Sequence, residues 1–259
     1  MGRPAVDPVP GAPAATLDLG DERALAVADY HAGIEVGLRY ERGVELDSNA
    51  DVRRRRLLRL LSRTDADRVV VLGDLVHRIA EPDGTEADEV RDLLDALDSR
   101  GVPLTLATGN HDGGVADVFP DRIDVLPAEG ARIGDVGLVH GHTWPGAEAL
   151  SGSTLCMGHE HPSVRLTDEV GGSRVERAWL RGPLVREPLL DALGDDAAAL
   201  AWQDPELVVF PAFNDRSGGT WVNVDGQGFL SPFLPHALVE EETEAFLLDG
   251  TRLGPYRSV

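Results

Sequence analysis

The chain has 259 residues, with 45 Asp plus Glu against 24 Lys plus Arg, a formal net charge of -21, and every one of those basic residues is arginine. Without lysine there can be no P-loop phosphate-binding Lys, no Schiff-base Lys and no pyridoxal-phosphate anchor. A single cysteine, Cys156, excludes an intramolecular disulfide and a Cys-rich zinc site.

An acidic, lysine-free composition suits high salt, where screening removes the self-repulsion of the fold. GC-rich codon usage with an acidic surface would give the same composition. Residues 1–16, "MGRPAVDPVPGAPAAT", are rich in Pro, Ala and Gly and read as a flexible tail, leaving 17–259 as one domain. The tail lacks the apolar core of a signal peptide, and no apolar run is long enough to span a bilayer. With the single cysteine, this predicts a cytoplasmic protein without a membrane partner.

Apolar runs follow in chain order: "ALAVADYH" (24–31), "RVVVLGD" (68–74), "VPLTLATGN" (102–110), "IGDVGLVHG" (133–141), "TLCMGH" (154–159) and "ELVVFPAFN" (206–214). Short continuous runs of this kind suit strands buried on both faces. Between the first three lie helical patterns, "NADVRRRRLLRLLSR" (49–63), with Asn49 as N-cap, and "TEADEVRDLLDALDSRG" (85–101), with Gly101 past its end. Strand–helix–strand alternation predicts a partly parallel sheet with right-handed crossovers. "ARIGDVGLVHGH" reads instead as a hairpin turning at Gly134-Asp135, so a mixed sheet or two packed sheets are expected.

Five successive runs end in residues that bind metals: "DYH" (Asp29, His31), "GDLVH" (Asp74, His77), "GNHD" (Asn110, His111, Asp112), "HGH" (His140, His142) and "GHEH" (His159, His161). Seven of the eight histidines fall here, leaving only His236 outside. Ligand sites of open α/β sheets lie beyond the carboxyl ends of the strands, so the five motifs converge on one edge. Each is weak alone, since a D-x-H after a strand is most often a turn; five in order at strand ends are not a chance pattern. Imidazole plus carboxylate without thiolate suits Mn²⁺, Fe or Zn²⁺ rather than Ca²⁺ or a structural zinc. The donors exceed what one ion uses. Two ions roughly 3.5–4 Å apart would share them through a bridging carboxylate and clamp a phosphoryl group during in-line displacement.

The ordered series "DYH … GDLVH … GNHD … HGH … GHEH" resembles the calcineurin-like metallophosphoesterases from Asp29 to His161. The surrounding "ADYHAGIE", "LVHGHTWP", "MGHEHPSV" and "VVFPAFNDRSGG" resemble the archaeal Icc-like branch, described as related to nuclease subunits of double-strand-break repair complexes, as far as about Phe229. The resemblance implies an α/β (α+β) fold, two packed mixed β-sheets flanked by helices in a four-layer sandwich. It implies two divalent ions, Mn²⁺ first and Fe or Zn²⁺ as alternatives, that bridge the attacking hydroxide. Asp29, His31 and His161 would hold one, Asp74 would bridge, and Asn110, His140 and His159 would complete the other. His111 would contact the scissile phosphate and assist the leaving oxygen, and Asp112 would orient His111 through its ring N–H. In "HGH" both histidines remain open as the ligand. His140 is preferred because it sits nearest the strand end and precedes the glycine, and His142 would face substrate or solvent. His77 would stand behind the ligands.

The resulting expectation is hydrolysis of phosphate esters, phosphodiesters first and nucleic acid among them. A small phosphomonoester or nucleotide is the alternative, and a non-catalytic metal-binding scaffold the remote one. The charge of -21 speaks against tight nucleic-acid binding at low salt. Glu35 reads as a surface or helix-capping residue, "RRRR" (53–56) as a solvated helix face paired with acids, and "VEEETEAF" as solvated surface. Gly109 would free the backbone to turn, and "NDRSGGT" (214–220) reads as a loop from which Arg216 could reach a phosphate, although nothing in the sequence requires it.

Overall fold

In the strand "ALAVA" small and large residues alternate, and the two sets face different layers. The computed structural model describes residues 4–168 and 170–259, with Glu41 by its backbone alone. A six-stranded sheet contains β1 (Val6–Pro8), β2 (Ala15–Asp18), β3 (Arg23–Val27), β4 (Arg68–Val71), β5 (Leu104–Ala107) and β6 (Asp124–Leu126), paired in sequence order. β1 to β3 are antiparallel neighbours, and β3 to β6 run parallel. Parallel neighbours need crossovers. α1 (Ile34–Arg42) and α2 (Ala50–Thr64) connect β3 to β4, α3 (Gly84–Asp98) connects β4 to β5, and the short α4 (Val115–Val118) precedes β6. Asn49 stands at the N-cap of α2 without making a side-chain capping bond.

A second sheet holds β7 (Ala131–Ile133), β8 (Val136–Val139), β9 (Thr154–Met157), β11 (Ser173–Pro183), β12 (Glu206–Val209), β13 (Glu244–Leu247) and β14 (Arg252–Pro255), with β10 (Ser163–Thr167) paired to β11. β8, β9 and β12 are parallel, and the other pairs antiparallel. The hairpin at Gly134-Asp135 forms as expected, with Ile133 opposite Val136. Two further helices, the short α5 (Ala147–Leu150) and α6 (Arg186–Leu193), flank this sheet.

Period-two alternation sorts the core into layers. Leu25, Val27, Val69, Val71 and Leu106 pack on Leu57, Leu61, Val90, Leu93 and Leu94 of α2 and α3. Ala24, Ala26, Ala28, Val70 and Leu72 face the opposing sheet, where they meet Leu138, Cys156, Trp179, Val208 and Phe210. Leu155, Met157, Leu180 and Val209 point outward to Leu189, Phe233 and Tyr256. The expected two mixed sheets flanked by helices are therefore present. Each large aliphatic buried in this way contributes about 1.5–3 kcal/mol.

Three expectations need correction. Apart from residues 1–3, which lie outside the described residues, the expected tail is built into the sheet: Val6 pairs opposite Leu17, and Val6, Val9 and Ala15 are buried. Apolar residues at alternate positions outweigh the Pro and Gly content there. The acidic "VEEETEAF" contributes β13, with Ala245 fully buried against β11. "RRRR" is not one solvated face, because 100° per residue turns each arginine to a different side. Arg53 is buried, Arg54 binds Asp51 and Asp92, Arg55 is exposed and Arg56 binds Asp215.

Candidate metal centre

Beyond Val27 the chain continues beside the segment after β4. The Asp29 amide donates to the Gly73 carbonyl at 3.1 Å and the His31 amide to the Asp74 carbonyl at 2.8 Å. The strand ends β3, β4, β8 and β9 thus deliver their polar residues to one edge. Eight non-glycine residues with positive φ occur among the described residues, and five are Asp29, His31, Asp74, His159 and His161. Left-handed backbone disfavours L-residues by about 1 kcal/mol or more each, so it persists only where the surroundings impose it. Its concentration here marks a functional constraint.

The side chains converge accordingly. Nε2 of His161 lies 3.1 Å from Oδ1 of Asp29, and Nε2 of His140 lies 3.4 Å from Oδ1 of Asp74. His31 approaches Oδ2 of Asp74 at 3.8 Å. Asn110 Oδ1 and His159 Nδ1 stand 3.2 and 3.1 Å from the same His140 Nε2. Donor atoms of Asp29, His31 and His161 fall close enough together to share one cation, and so do those of Asp29, Asp74 and His140. The His140 Nδ1–H must donate to the Leu72 carbonyl, 2.9 Å away, since a carbonyl only accepts. That leaves Nε2 as the inward lone pair, the usual arrangement for a metal-binding imidazole. His161 repeats it, with Nδ1 on the Gly218 carbonyl at 2.8 Å.

A cation fits these donors. Oδ2 of Asp29 and Nδ1 of His31 are buried without a hydrogen-bond partner, an arrangement that costs free energy unless something else meets them. Burial pushes His31 well below the usual imidazole range, takes His140 down to about 3 and His159 to about 4, so these rings are neutral and offer lone pairs. Burial, then the carboxylates of Asp29 and Asp112, push Asp74 up to about 9. Burial also opposes ionisation of Asp29, but His161 beside it holds that carboxyl below its ordinary range. Against its own burial, the Asp29 carboxylate raises His161 to about 9. Two carboxylates forced together, one holding a proton, are a place where cations would replace the protons.

His111 lines a cavity of about 300 Å³ with Asp74, His159, His161, Arg42 and Arg216. Its amide donates to Asp74 at 3.1 Å, its ring Nδ1 donates to the His77 carbonyl, and its Nε2 lies 3.8 Å from Asp74. Asp112 is held by backbone amides. Its oxygens accept from the amides of Gly109 at 2.8 Å and Val76 at 3.3 Å, so it ties two loops together and the His77 carbonyl holds the imidazole. Gly109 is not among the glycines of positive φ; a Cβ there would overlap the Asp74 carboxylate, so close approach and not turning requires glycine. His142 is half-buried beside His140, ring centroids 5.3 Å apart, and belongs to neither cation-sized donor group.

Several supports escaped sequence reading. Glu35 is buried, not a surface residue: with Glu89 it sandwiches Arg53, which reaches Glu89 by two bonds of 2.8 Å and Glu35 at 3.2 Å. Glu89 also accepts from the Gly33 amide at 2.9 Å, and Arg53 lies over the Tyr30 ring, so the network braces the loop carrying Asp29 and His31. Arg216 is anchored to Glu35 at 3.2 Å. Glu160, between His159 and His161, points the other way and accepts from the amides of Leu230 at 3.0 Å and Ser231 at 2.7 Å. Asn214 clasps the Tyr30 carbonyl at 3.0 Å. Only Glu160 carried a signal, by alternation between two histidines at a strand end.

Fold and site together place two candidate groups of cation donors at an edge where the two sheets meet. The sequence pattern of the calcineurin-like phosphoesterase family matches residues 23–196, and the chain belongs to that family. It is accordingly a metal-dependent phosphoester hydrolase of a family that binds dinuclear divalent metals. Comparison with curated proteins finds no match. Among solved structures the fold is similar to that of the Pseudomonas putida nuclease MPE, at 18% identity and a TM-score of 0.57, covering 96% of this chain and 100% of that one. The E. coli phosphoesterase Yfce aligns over 89% of this chain and 96% of its own, at 15% identity and a TM-score of 0.37. No helix among the described residues is long and apolar enough to cross a membrane.

Proposed function

We propose that the protein hydrolyses phosphodiesters, with Asp29, His31 and His161 holding one cation, Asp74 shared, and Asn110, His140 and His159 serving a second. Two such cations would supply Lewis acidity and an acidified water for in-line displacement at phosphorus. His111 stands at the cavity with Nδ1 donated to the His77 carbonyl and Nε2 toward the space beside Asp74, where it can hold a proton for the departing alkoxide. That placement is the observation that carries the reading. His142, its ring beside that of His140, is proposed to face a substrate oxygen. Asp112 steadies the backbone of the His111 loop, accepting the Gly109 amide.

Mn²⁺ is the proposed metal, with Fe or Zn²⁺ as alternatives of the same donor chemistry. A nuclease of similar fold supports a nucleic-acid substrate. The charge of -21 favours the second reading, a small phosphomonoester or nucleotide. Membership of the archaeal Icc-like branch and a high-salt setting are proposed on the flanking motifs and the lysine-free acidity. A cytoplasmic location is proposed on the free Cys156. One domain from Val6 onward is proposed on the core layer that both sheets share.

Metal content together with Mn²⁺-supported hydrolysis of bis-p-nitrophenyl phosphate and p-nitrophenyl phosphate tests the reading. Faster turnover of the diester is expected. Preference for the monoester would install the second reading in its place, and no turnover with two metals bound would leave a scaffold.

A further inference from the structure

Past His161 the metal-site cavity continues into a groove of about 480 Å³, the two sharing His161, Ser217 and Gly218 in their walls. Two arginines from distant parts of the chain meet in that groove. Arg56 of α2 donates Nη1 to the Phe213 carbonyl at 3.2 Å and to Asp215 Oδ1 at 2.9 Å. Arg177 of β11 donates Nη1 to the Ala212 carbonyl at 3.1 Å and forms an ion pair with the same Asp215 Oδ1 at 2.9 Å.

The charge ratio here is the reverse of that at several surface arginines. Arg54 is met by Asp51 and Asp92, Arg68 by Glu22 and Asp124, and Arg122 by Asp95 and Asp98. In the groove two guanidiniums share one carboxylate oxygen. Nε and Nη2 of both arginines have no acceptor among the described residues, and the side chains are 22% and 30% exposed, so those donors face the groove's solvent. Burial depresses the Arg177 pKa, Asp215 counters it, and Arg56 adds to the depression, as befits a pair short of negative charge. Paired planar guanidiniums with spare N–H donors match the oxygens of a phosphate or a carboxylate.

We propose that Arg56 and Arg177 hold the phosphate next to the scissile one, so that the substrate is a polynucleotide strand running past His161. The inference rests on the phosphodiester reading. A chain of -21 thereby concentrates positive charge where the strand must lie, while the rest of its surface repels nucleic acid. Asp215 is the built-in competitor of that phosphate.

The test uses the full chain with Mn²⁺, a short single-stranded oligonucleotide and bis-p-nitrophenyl phosphate. Arg56→Gln with Arg177→Gln is expected to lower kcat/KM on the oligonucleotide relative to the small diester by about 10-fold per arginine. The slope of log binding constant against log salt should fall by about 1. The double lysine variant, which keeps charge but loses the planar fork, should recover part of the ratio. Asp215→Asn, which removes the competitor, should tighten oligonucleotide binding, a gain that a damaged fold would not produce. Equal losses on both substrates, or no gain from Asp215→Asn, would overturn the clamp. Wild-type protein that cleaves only monoesters overturns the diester reading and the clamp together; a working diesterase with an unmoved ratio overturns the clamp alone.

Discussion

Oδ1 of Asp29 sits 3.1 Å from Nε2 of His161, although the two residues are carried by strand ends of different sheets. The same Oδ1 accepts the His159 amide at 3.2 Å, so one carboxylate ties both ends of the "GHEH" turn to β3. Asp29 also belongs to both donor groups of cation size. Asp29→Asn is therefore expected to reduce metal content and to lower activity by more than the about 100-fold that residues behind a metal ligand cost. Metal analysis by emission spectrometry beside turnover checks it; full metal content in the variant would show that Asp29 is not a ligand.

His111 donates Nδ1 to the His77 carbonyl and keeps Nε2 toward the cavity. His111→Ala should retain both metals and lose about 10²–10⁴ in kcat, most on esters with poor leaving groups. A linear free-energy plot against leaving-group pKa reads this directly: the variant's slope should be steeper. Loss of metal instead would make His111 a ligand.

Metal-free protein should lose stability as pH rises from 7 to 9. Asp74 is raised to about 9, so the folded state holds a proton there that the unfolded chain has already released near the ordinary carboxylate value. His161, also raised to about 9, acts in the same direction above the ordinary imidazole value. The lowered His140 and His159 act only below about 6.5. Thermal melts in chelator should show Tm falling over this interval, and the gain on adding Mn²⁺ growing with pH. A flat profile would mean that neither proton is held.

Arg53 is the cation of a buried cluster with Glu35 and Glu89. Arg53→Ala leaves two buried carboxylates without it and should destabilise the fold by about 3–5 kcal/mol, read from urea unfolding. Simultaneous Glu35→Gln and Glu89→Gln should recover part of that loss, because the stranded charges are gone.

Gly109 lies against the Asp74 carboxylate, where an added methyl group would overlap Oδ1. Gly109→Ala should lower Mn²⁺ affinity at least about 10-fold and also destabilise the fold, because the added Cβ would overlap the Asp74 backbone nitrogen as well as its carboxylate. Titration calorimetry measures the affinity. An unchanged affinity would show that Asp74 can shift freely.

The convergence of the site was legible because strand ends carry function in a period-two code. Apolar runs fix where each strand stops, and Asp29, Asp74, Asn110, His140 and His159 follow at or just past those stops. The tail and the acidic C-terminal strand were missed for the opposite reason. β1 and β13 are short runs whose composition is dominated by Pro or Glu neighbours, and only pairing partners make them strands.

By itself, then, the sequence determined which donors exist and that they gather at one sheet edge, since alternation and strand ends are local properties. Tertiary structure decided where each one sits. It set His140 rather than His142 among the acidic donors, because the Leu72 carbonyl fixes its ring. It gave the His111 ring to the His77 carbonyl and turned Asp112 to backbone amides. It divided four consecutive arginines between a buried cluster, surface pairs, solvent and a groove. Hydrogen bonds and charge pairs act over a few ångströms between residues up to 184 positions apart, as Asn214 and Tyr30 are, and no local pattern encodes such separations.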